Sequence, residues 1–150
     1  MAEPLSFDPN ISFNSRRSSI VGSGGMVACS QPLAVAAGIK ILNSGGNAAD
    51  AAVAAAAALN VTEPTSTGIG GDCFALYYEG KTRKIYALNG SGRSPRALTL
   101  QRVKDDGHHE ELARFHPHTI TVPGAAAGWA DTVSKFGKLS LPENCSLDSI

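Results

Sequence analysis

The stretch from Asn47 to Phe74 reads NAADAAVAAAAALNVTEPTSTGIGGDCF. Its first half predicts a helix built almost entirely of alanine, with Asn47 as the N-cap and the charge of Asp50 near the positive helix end. After Asp50 this helix, which we expect to run through Leu59, is apolar on every face. We therefore expect it to be buried on all sides. The second half predicts a glycine-rich turn followed by a strand.

The segments around this stretch alternate between helix and strand patterns. Residues 26–29 predict a short buried strand, and a helix begins at Pro32 and ends at the segment 43–46, NSGG, in the manner of a glycine C-cap. Residues 74–79 and 84–88 predict a β-hairpin. The chain therefore reads as an α+β fold.

The second half of the chain continues this mixture. Residues 89–95, NGSGRSP, form a loop by composition. We expect a short surface helix over 99–106, a strand over 119–122, and a last helix from Pro123 to Phe136.

Composition excludes two classes of partner. The chain has 150 residues, of which 43% are hydrophobic and 17% charged, and its 13 basic and 13 acidic residues leave no net charge. A neutral chain has no broad electrostatic attraction for nucleic acid or an anionic membrane. Its longest apolar run, at 51–59, is too short to span a bilayer. We expect neither nucleic acid nor a membrane as a partner.

The N-terminus and the cysteines indicate a cytoplasmic protein. Residues 1–24 predict a loose leader without the basic start and apolar core of a signal peptide. Cys29, Cys73 and Cys145 are odd in number and widely spaced, which fits neither a disulfide framework nor a zinc site. We expect reduced thiols and a cytoplasmic location.

The glycine turn at 68–71 has two interpretations. Backbone N–H groups in such a turn bind phosphate in many proteins. A dinucleotide site, however, needs a strand before the turn and a helix after it, whereas a strand follows here. A tight turn is the favoured interpretation, and nucleotide binding is the minor alternative.

Other side chains give no clear catalytic motif. The histidines cluster at His108, His109, His116 and His118, and His116 and His118 would share one face if their segment were a strand. A metal site is the minor alternative to a solvated polar loop, because no recognised ligand spacing is present. No Gly-x-Ser-x-Gly elbow occurs. We expect no metal, no cofactor and no catalytic nucleophile in this chain.

Several motifs together resemble the γ-glutamyltransferase (glutathione hydrolase) family. They are SGGNAADAA at 44–52, Glu63-Pro64, GIGG at 68–71, ACSQPLA at 28–34, and VPG at 122–124 with the Gly-Trp pair at 128–129. The resemblance covers residues 25–141. It divides the chain into the leader 1–24, a partial domain 25–141 and a divergent tail 142–150.

The resemblance implies an incomplete four-layer αββα N-terminal nucleophile hydrolase. Such an enzyme is made as a precursor that cleaves itself, and its nucleophile is a threonine at the new N-terminus of the small subunit. That threonine would lie beyond Ile150. The implied partners are this missing half and a small-molecule γ-glutamyl or related acyl amide.

The resemblance also implies a substrate-binding loop. The family holds the α-carboxylate of the substrate with an arginine in the loop after the hairpin. Aligned on Pro95, that position is occupied here by Ser91, and Arg93 follows two residues later. The NGSGRSP form resembles a branch of acylases that act on glutaryl or similar amides. Ser91 and Arg93 are the expected substrate-binding residues.

Alternatives remain for the loop and for the whole chain. Arg96 is a second cation for the same carboxylate, or Arg93 only stabilises the loop by pairing with a carboxylate or backbone carbonyls. The chain as a whole is alternatively a truncated, non-catalytic product that acts as a binding or regulatory module or has no function. With much of a sandwich missing, we expect it to be poorly stable when made alone.

Overall fold

The structure, a computed structural model, describes residues 18–146. Within them lie five helices and one antiparallel hairpin, so the α+β class is confirmed. In chain order the elements are α1 (Pro32–Asn43), α2 (Ala48–Thr62), β1 (Cys73–Glu79), β2 (Lys84–Gly90), α3 (Leu100–Asp105), a 3-10 turn (Pro117–Thr119), α4 (Ala125–Phe136) and α5 (Leu141–Asn144).

The turn between α1 and α2 is built as the sequence predicts. Gly45 has φ +94°, a left-handed conformation that suits glycine at a helix end. The Asn47 side chain then accepts hydrogen bonds from the N–H groups of Ala49 and Asp50 at 2.9 and 3.2 Å. In turn, the Asp50 carboxylate accepts a hydrogen bond from the Asn47 N–H at 2.8 Å, which completes a capping box. The predicted N-cap is confirmed.

Small side chains let α1 and α2 approach closely. Buried alanines from both helices form the contact, with Ile41 as the large residue: Ala34, Ala37, Ile41, Ala51, Ala54 and Ala58. α2 is longer than expected, because it runs to Thr62. Burial on all its sides is wrong, because Ala52 is exposed and Val61, in the last turn of α2, is 71% exposed.

The hairpin is confirmed and packs on α4 with one face only. β1 and β2 pair from Cys73 opposite Gly90 to Glu79 opposite Lys84. On the packed face, the Phe136 ring lies 4.6 Å from the Tyr77 ring centroid and 5.2 Å from that of Tyr86. The opposite face, which we call the open face, exposes 60–80% of each large apolar side chain: Phe74, Leu76, Tyr78 and Ile85.

Two predicted strands are absent from the described residues. At 26–29 no strand lies alongside to form a ladder; instead Val27 packs its side chain against the contact between α1 and α2. At 119–122 the 3-10 turn takes the first residue, and Val122 makes a single backbone bond, to Arg93, instead of joining a sheet. Both segments have β-type composition, but a strand also needs a neighbour with free N–H and C=O groups.

The two ends of the described chain differ in burial. The predicted tail 142–150 begins inside α5, whose Asn144 is buried, and residues 147–150 lie outside the described residues. Of the predicted leader, only residues 18–24 are described, and they are exposed. Among residues 18–146 no helix has the length and apolarity needed to cross a membrane.

Candidate functional site

Three loops meet beside one end of the hairpin, and we call their meeting point the junction. They are the glycine turn at 68–71 with Asp72 after it, the loop at 89–95 and the segment at 121–125. The carbonyl of Gly71 accepts hydrogen bonds from the N–H groups of Gly124 and Ala125 at 3.0 and 2.9 Å. Because the first N–H groups of a helix have no partner inside it, this carbonyl ties the glycine turn to the start of α4.

Glycines allow the three loops to approach so closely. A Cβ atom added at Gly92 would lie 1.9 Å from the Val122 carbonyl oxygen, and one added at Gly124 would lie 2.1 Å from the Gly90 carbonyl oxygen. Real Cβ contacts are never so short. The junction therefore requires glycine at 92 and 124 for reasons of space.

The Asp72 side chain links the glycine turn to the other two loops. Its Oδ1 accepts a hydrogen bond from the Gly92 N–H at 2.5 Å and one from the Thr121 hydroxyl at 3.3 Å. On the far side of the loop, the Val122 N–H donates to the Arg93 carbonyl at 2.9 Å. The backbone of residues 92 and 93 is therefore held from two directions.

The two predicted substrate-binding residues lie in this loop with exposed side chains. The N–H of Ser91 donates to the Asn89 side chain at 3.0 Å, while Arg93 and Arg96 extend from the loop surface. The Arg93 guanidinium forms no hydrogen bond or ion pair with residues 18–146. The alternative in which this side chain stabilises the loop thus finds no contact in the described chain. Substrate binding by Ser91 and Arg93 stays a prediction.

A small cavity lies next to the same loop. It has a volume of about 220 Å³ and is lined by residues of the loop, α3 and the 3-10 turn: Pro95, Ala97, Leu98, Arg102, Pro117 and His118. Its walls are largely apolar, with one guanidinium and one imidazole.

Three histidine rings lie in contact, although their segment is not a strand. The His116 ring lies 4.5 Å from that of His108 and 4.7 Å from that of His118. Desolvation lowers the pKa of His116, and the nearby charges of His108 and His118 lower it further. The placement on a strand face is wrong, because a 3-10 turn carries His118 and the Nδ1 atom of His116 accepts the His118 backbone N–H at 3.1 Å.

His118 and Asp106 are joined by a side-chain hydrogen bond in this cluster. His118 Nε2 lies 3.1 Å from Asp106 Oδ2, which also contacts Arg102 Nε at 3.3 Å. The hydrogen bond from His118 is the main cause that lowers the pKa of the Asp106 carboxyl. Within residues 18–146, no group of three or more His, Cys, Asp or Glu side chains is arranged to hold a metal ion.

Backbone groups of the glycine turn form hydrogen bonds within the protein. The Gly71 N–H donates to the Gly68 carbonyl at 3.0 Å and the Gly71 carbonyl binds α4, while a strand follows at Cys73. A tight turn is confirmed. The helix that a phosphate cradle needs does not follow it.

Residues 34–145 match a family model described as Gamma-glutamyltranspeptidase. The chain belongs to the gamma-glutamyltranspeptidase family. Curated relatives in this family include the glutathione hydrolase-like YwrD proenzyme of Bacillus subtilis, 41% identical over 83% of this chain and 23% of that protein. The acylase ACY 1 proenzyme of Pseudomonas sp. strain V22 is 36% identical over 87% of this chain and 25% of that protein. The chain thus spans about a quarter of the length of these relatives.

Solved structures of the gamma-glutamyltranspeptidase family and of acylases share this fold. The cephalosporin acylase from Bacillus halodurans superposes with a TM-score of 0.80 at 47% identity, over 95% of this chain and 26% of that one. The Helicobacter pylori gamma-glutamyltranspeptidase gives 0.76 at 30% identity, over 88% and 38%. The resemblance inferred from the sequence motifs, including the one to the acylase-like branch, is confirmed.

Asp72 had no predicted role, although it directly follows the GIGG motif at 68–71. The sequence did contain a signal: an acidic residue stands between the Gly70-Gly71 pair and the predicted strand, and a tight turn does not itself require a charge there. Which N–H group it would meet depends on the fold, because Gly92 is 20 residues further along the chain.

Proposed function

We propose that this chain is the N-terminal segment of a proenzyme that hydrolyses amides of γ-glutamyl or related carboxylate-bearing acyl groups. The observation that carries the proposal is the exposed guanidinium of Arg93, which no residue of 18–146 pairs, on a loop whose backbone is fixed at the junction. A guanidinium binds a carboxylate through two parallel hydrogen bonds. An acyl group with a free carboxylate is the matching ligand.

The rest of the enzyme would supply the reaction itself. No Ser, Thr or Cys side chain of residues 18–145 is hydrogen-bonded to a histidine ring, and the proposal accordingly places the nucleophile outside this chain. In the proposed enzyme, a threonine beyond Ile150 becomes a new N-terminus by self-cleavage, and its own amino group acts as the base. The threonine hydroxyl gives its proton to that amino group and attacks the amide carbonyl, which forms an acyl ester and expels the amine with the proton. Water then hydrolyses the ester, which releases the acid and restores the threonine hydroxyl.

The open face of the hairpin supports a larger, four-layer αββα protein. Four large apolar side chains exposed on one sheet face are unusual for a complete domain. The relatives are about four times longer than this chain, so they contain enough further sequence to cover such a face. We propose that a second sheet from the missing segment packs on Phe74, Leu76, Tyr78 and Ile85.

The test uses the full-length precursor and two classes of substrate. The variant Arg93→Ala is compared with the wild type on glutaryl and γ-glutamyl p-nitroanilides, which carry a carboxylate, and on butyryl p-nitroanilide, which does not. We expect KM to rise at least tenfold for the first two substrates only, since uniform binding is lost. Arg96→Ala, at the residue directly after the loop, is the matched variant. An equal effect on all three substrates, or none on any, would refute carboxylate binding by Arg93.

The open face also favours the second candidate, a non-catalytic module that pairs with full-length subunits. In this case residues 1–150 made alone would form a defined complex with the full-length protein in size-exclusion chromatography. Replacing Leu76 with Lys would abolish that complex, because it puts a charge into the apolar contact. Turnover of the chromogenic amides by residues 1–150 alone would contradict both candidates, since both place the nucleophile elsewhere.

A further inference from the structure

The loop that carries Ser91 and Arg93 is attached to the body of the protein at few points. Asp72 Oδ1 accepts the Gly92 N–H at 2.5 Å, and the Val122 N–H donates to the Arg93 carbonyl at 2.9 Å. The first contact is made by a side chain and the second by backbone alone. Of the two, only the contact of Asp72 depends on the chemical identity of a side chain.

Asp72 is held in place by its own neighbours. Its Oδ1 also accepts the Thr121 hydroxyl at 3.3 Å, and the Gly71 carbonyl next to it is fixed by the first N–H groups of α4. The carboxylate therefore projects from a turn that is anchored to a helix. A charged acceptor makes a shorter and stronger bond to a backbone N–H than a neutral one.

Asp72 contacts the loop through the loop's backbone. No ion pair joins the Asp72 and Arg93 side chains, and both hydrogen bonds of Asp72 within residues 18–146 go to groups of the junction. Gly92 faces Val122 so closely that a Cβ atom would not fit, while Ser91 and Arg93 on either side of it are exposed. Fixing the Gly92 N–H thus fixes the direction in which both neighbours leave the loop.

We propose that Asp72 is a positioning residue for substrate recognition: by binding the Gly92 N–H, it holds the Ser91–Arg93 segment in the orientation that receives the carboxylate of the acyl group. This rests on the function proposed above. Asp72 acts through the loop and does not touch the substrate. Loss of the Asp72 side chain should therefore weaken the binding of every carboxylate-bearing substrate to the same extent and leave the rate of the chemical step unchanged.

The first measurement reads the loop itself and does not depend on activity. In the full-length protein, hydrogen exchange is followed in the peptide that contains residues 89–93, for the wild type, Asp72→Ala and Asp72→Asn. We expect Asp72→Ala to speed exchange of the Gly92 amide at least tenfold. Asp72→Asn keeps an oxygen acceptor, so its effect should be smaller. Asp131→Asn removes an exposed carboxylate on α4 and should change nothing.

The second measurement separates positioning from direct contact. For Asp72→Ala we expect KM to rise about tenfold for both glutaryl and γ-glutamyl p-nitroanilide, with kcat changed less than twofold and with partial rescue in Asp72→Asn. Butyryl p-nitroanilide should be unaffected. A loss confined to the γ-glutamyl substrate would overturn the proposal, because it would mean that Asp72 binds the substrate's amino group.

The remaining outcomes distinguish this inference from the proposed function. Unchanged exchange in Asp72→Ala overturns the inference whatever KM does. Faster exchange with unchanged KM also overturns it, because the loop would then move without consequence for substrate. Failure of the proposed function is read separately, from Arg93→Ala. Thr121→Val, which removes the weaker contact of Asp72 and keeps the side-chain shape, gives a milder version of the same test should Asp72→Ala not fold.

Discussion

The side-chain amide of Asn144 donates a hydrogen bond of 3.1 Å to the carboxylate of Asp50, across 94 residues of sequence. Asp50 has no exposed surface, and it also accepts the backbone N–H groups of Lys138 at 2.9 Å and Leu139 at 3.4 Å. One carboxylate therefore joins the start of α2 to α5 and to the connection that precedes it. Asp50 is a central polar contact of the described fold.

Asp50→Asn should destabilise the protein by about 2–3 kcal/mol, because hydrogen bonds to a charged group are replaced by weaker ones and the new NH2 group faces donors. Urea unfolding followed by circular dichroism measures this change. Asp131→Asn, at an exposed position of α4, is the control and should stay within about 0.5 kcal/mol of the wild type. Equal midpoints for the two variants would show that the contacts of Asp50 contribute little.

Acid should weaken the same contact. Burial by itself raises the pKa of the Asp50 carboxyl, but hydrogen bonds outweigh it, first those from the N–H groups of Asn47 and Lys138, so that the pKa lies below its ordinary value. A carboxyl whose pKa is lower in the folded state contributes stability above its unfolded pKa, which is about 4, and loses it as the pH falls through the folded pKa.

As the pH falls below about 4, the free energy of unfolding should therefore fall less steeply in Asp50→Asn than in the wild type. Urea unfolding at a series of pH values gives both slopes. Parallel slopes for the two proteins would mean that Asp50 does not bind fewer protons in the folded state.

The Asp50 contacts show how far the sequence predicts this fold. Asn47 and Asp50 were predictable as helix N-terminal residues, since a capping box involves positions three residues apart. The bonds to Lys138 and Asn144 were not, because nothing local in the sequence identifies a partner 88 or 94 residues away. For the same reason α5 was predicted only as part of a tail.

The candidate site follows the same division. The motifs at 44–52 and 68–71 were among those that identified the family, and the loop at 89–95 made Ser91 and Arg93 the candidate residues, whose role stays a prediction. The hairpin that carries this loop was clear from its two β-type runs. The prediction of a strand at 119–122 was wrong because this segment has no neighbouring strand to pair with among the described residues. Its Val122 N–H donates one backbone hydrogen bond, to the Arg93 carbonyl. The role of Asp72 was not predictable, because its partner, the Gly92 N–H, is determined by how the three loops of the junction meet.

Gly92→Ala should open the junction. The added Cβ atom would lie 1.9 Å from the Val122 carbonyl oxygen, so backbone must move, and we expect a loss of about 1–3 kcal/mol. Faster hydrogen exchange at the Val122 amide should accompany the loss, because the bond to Arg93 is broken. The control is Gly68→Ala in the neighbouring turn, where an added Cβ atom meets nothing within 4 Å. If both variants were equally stable, close approach at Gly92 would not be a requirement of the fold.

Ala54→Leu should destabilise the contact between α1 and α2. Ala54 is 2% exposed and lies in a cluster with Ile41 and Ala51, so three extra carbon atoms have no space there. Overpacking of this kind costs about 1–3 kcal/mol. Ala52→Leu makes the same change on the exposed side of α2, and should alter the free energy of unfolding by less than about 0.5 kcal/mol. The difference between these two variants, measured by urea unfolding, isolates packing from helix propensity, since both place leucine in the middle of the same helix. A larger loss for Ala52→Leu would place the tight contact on the other face of α2.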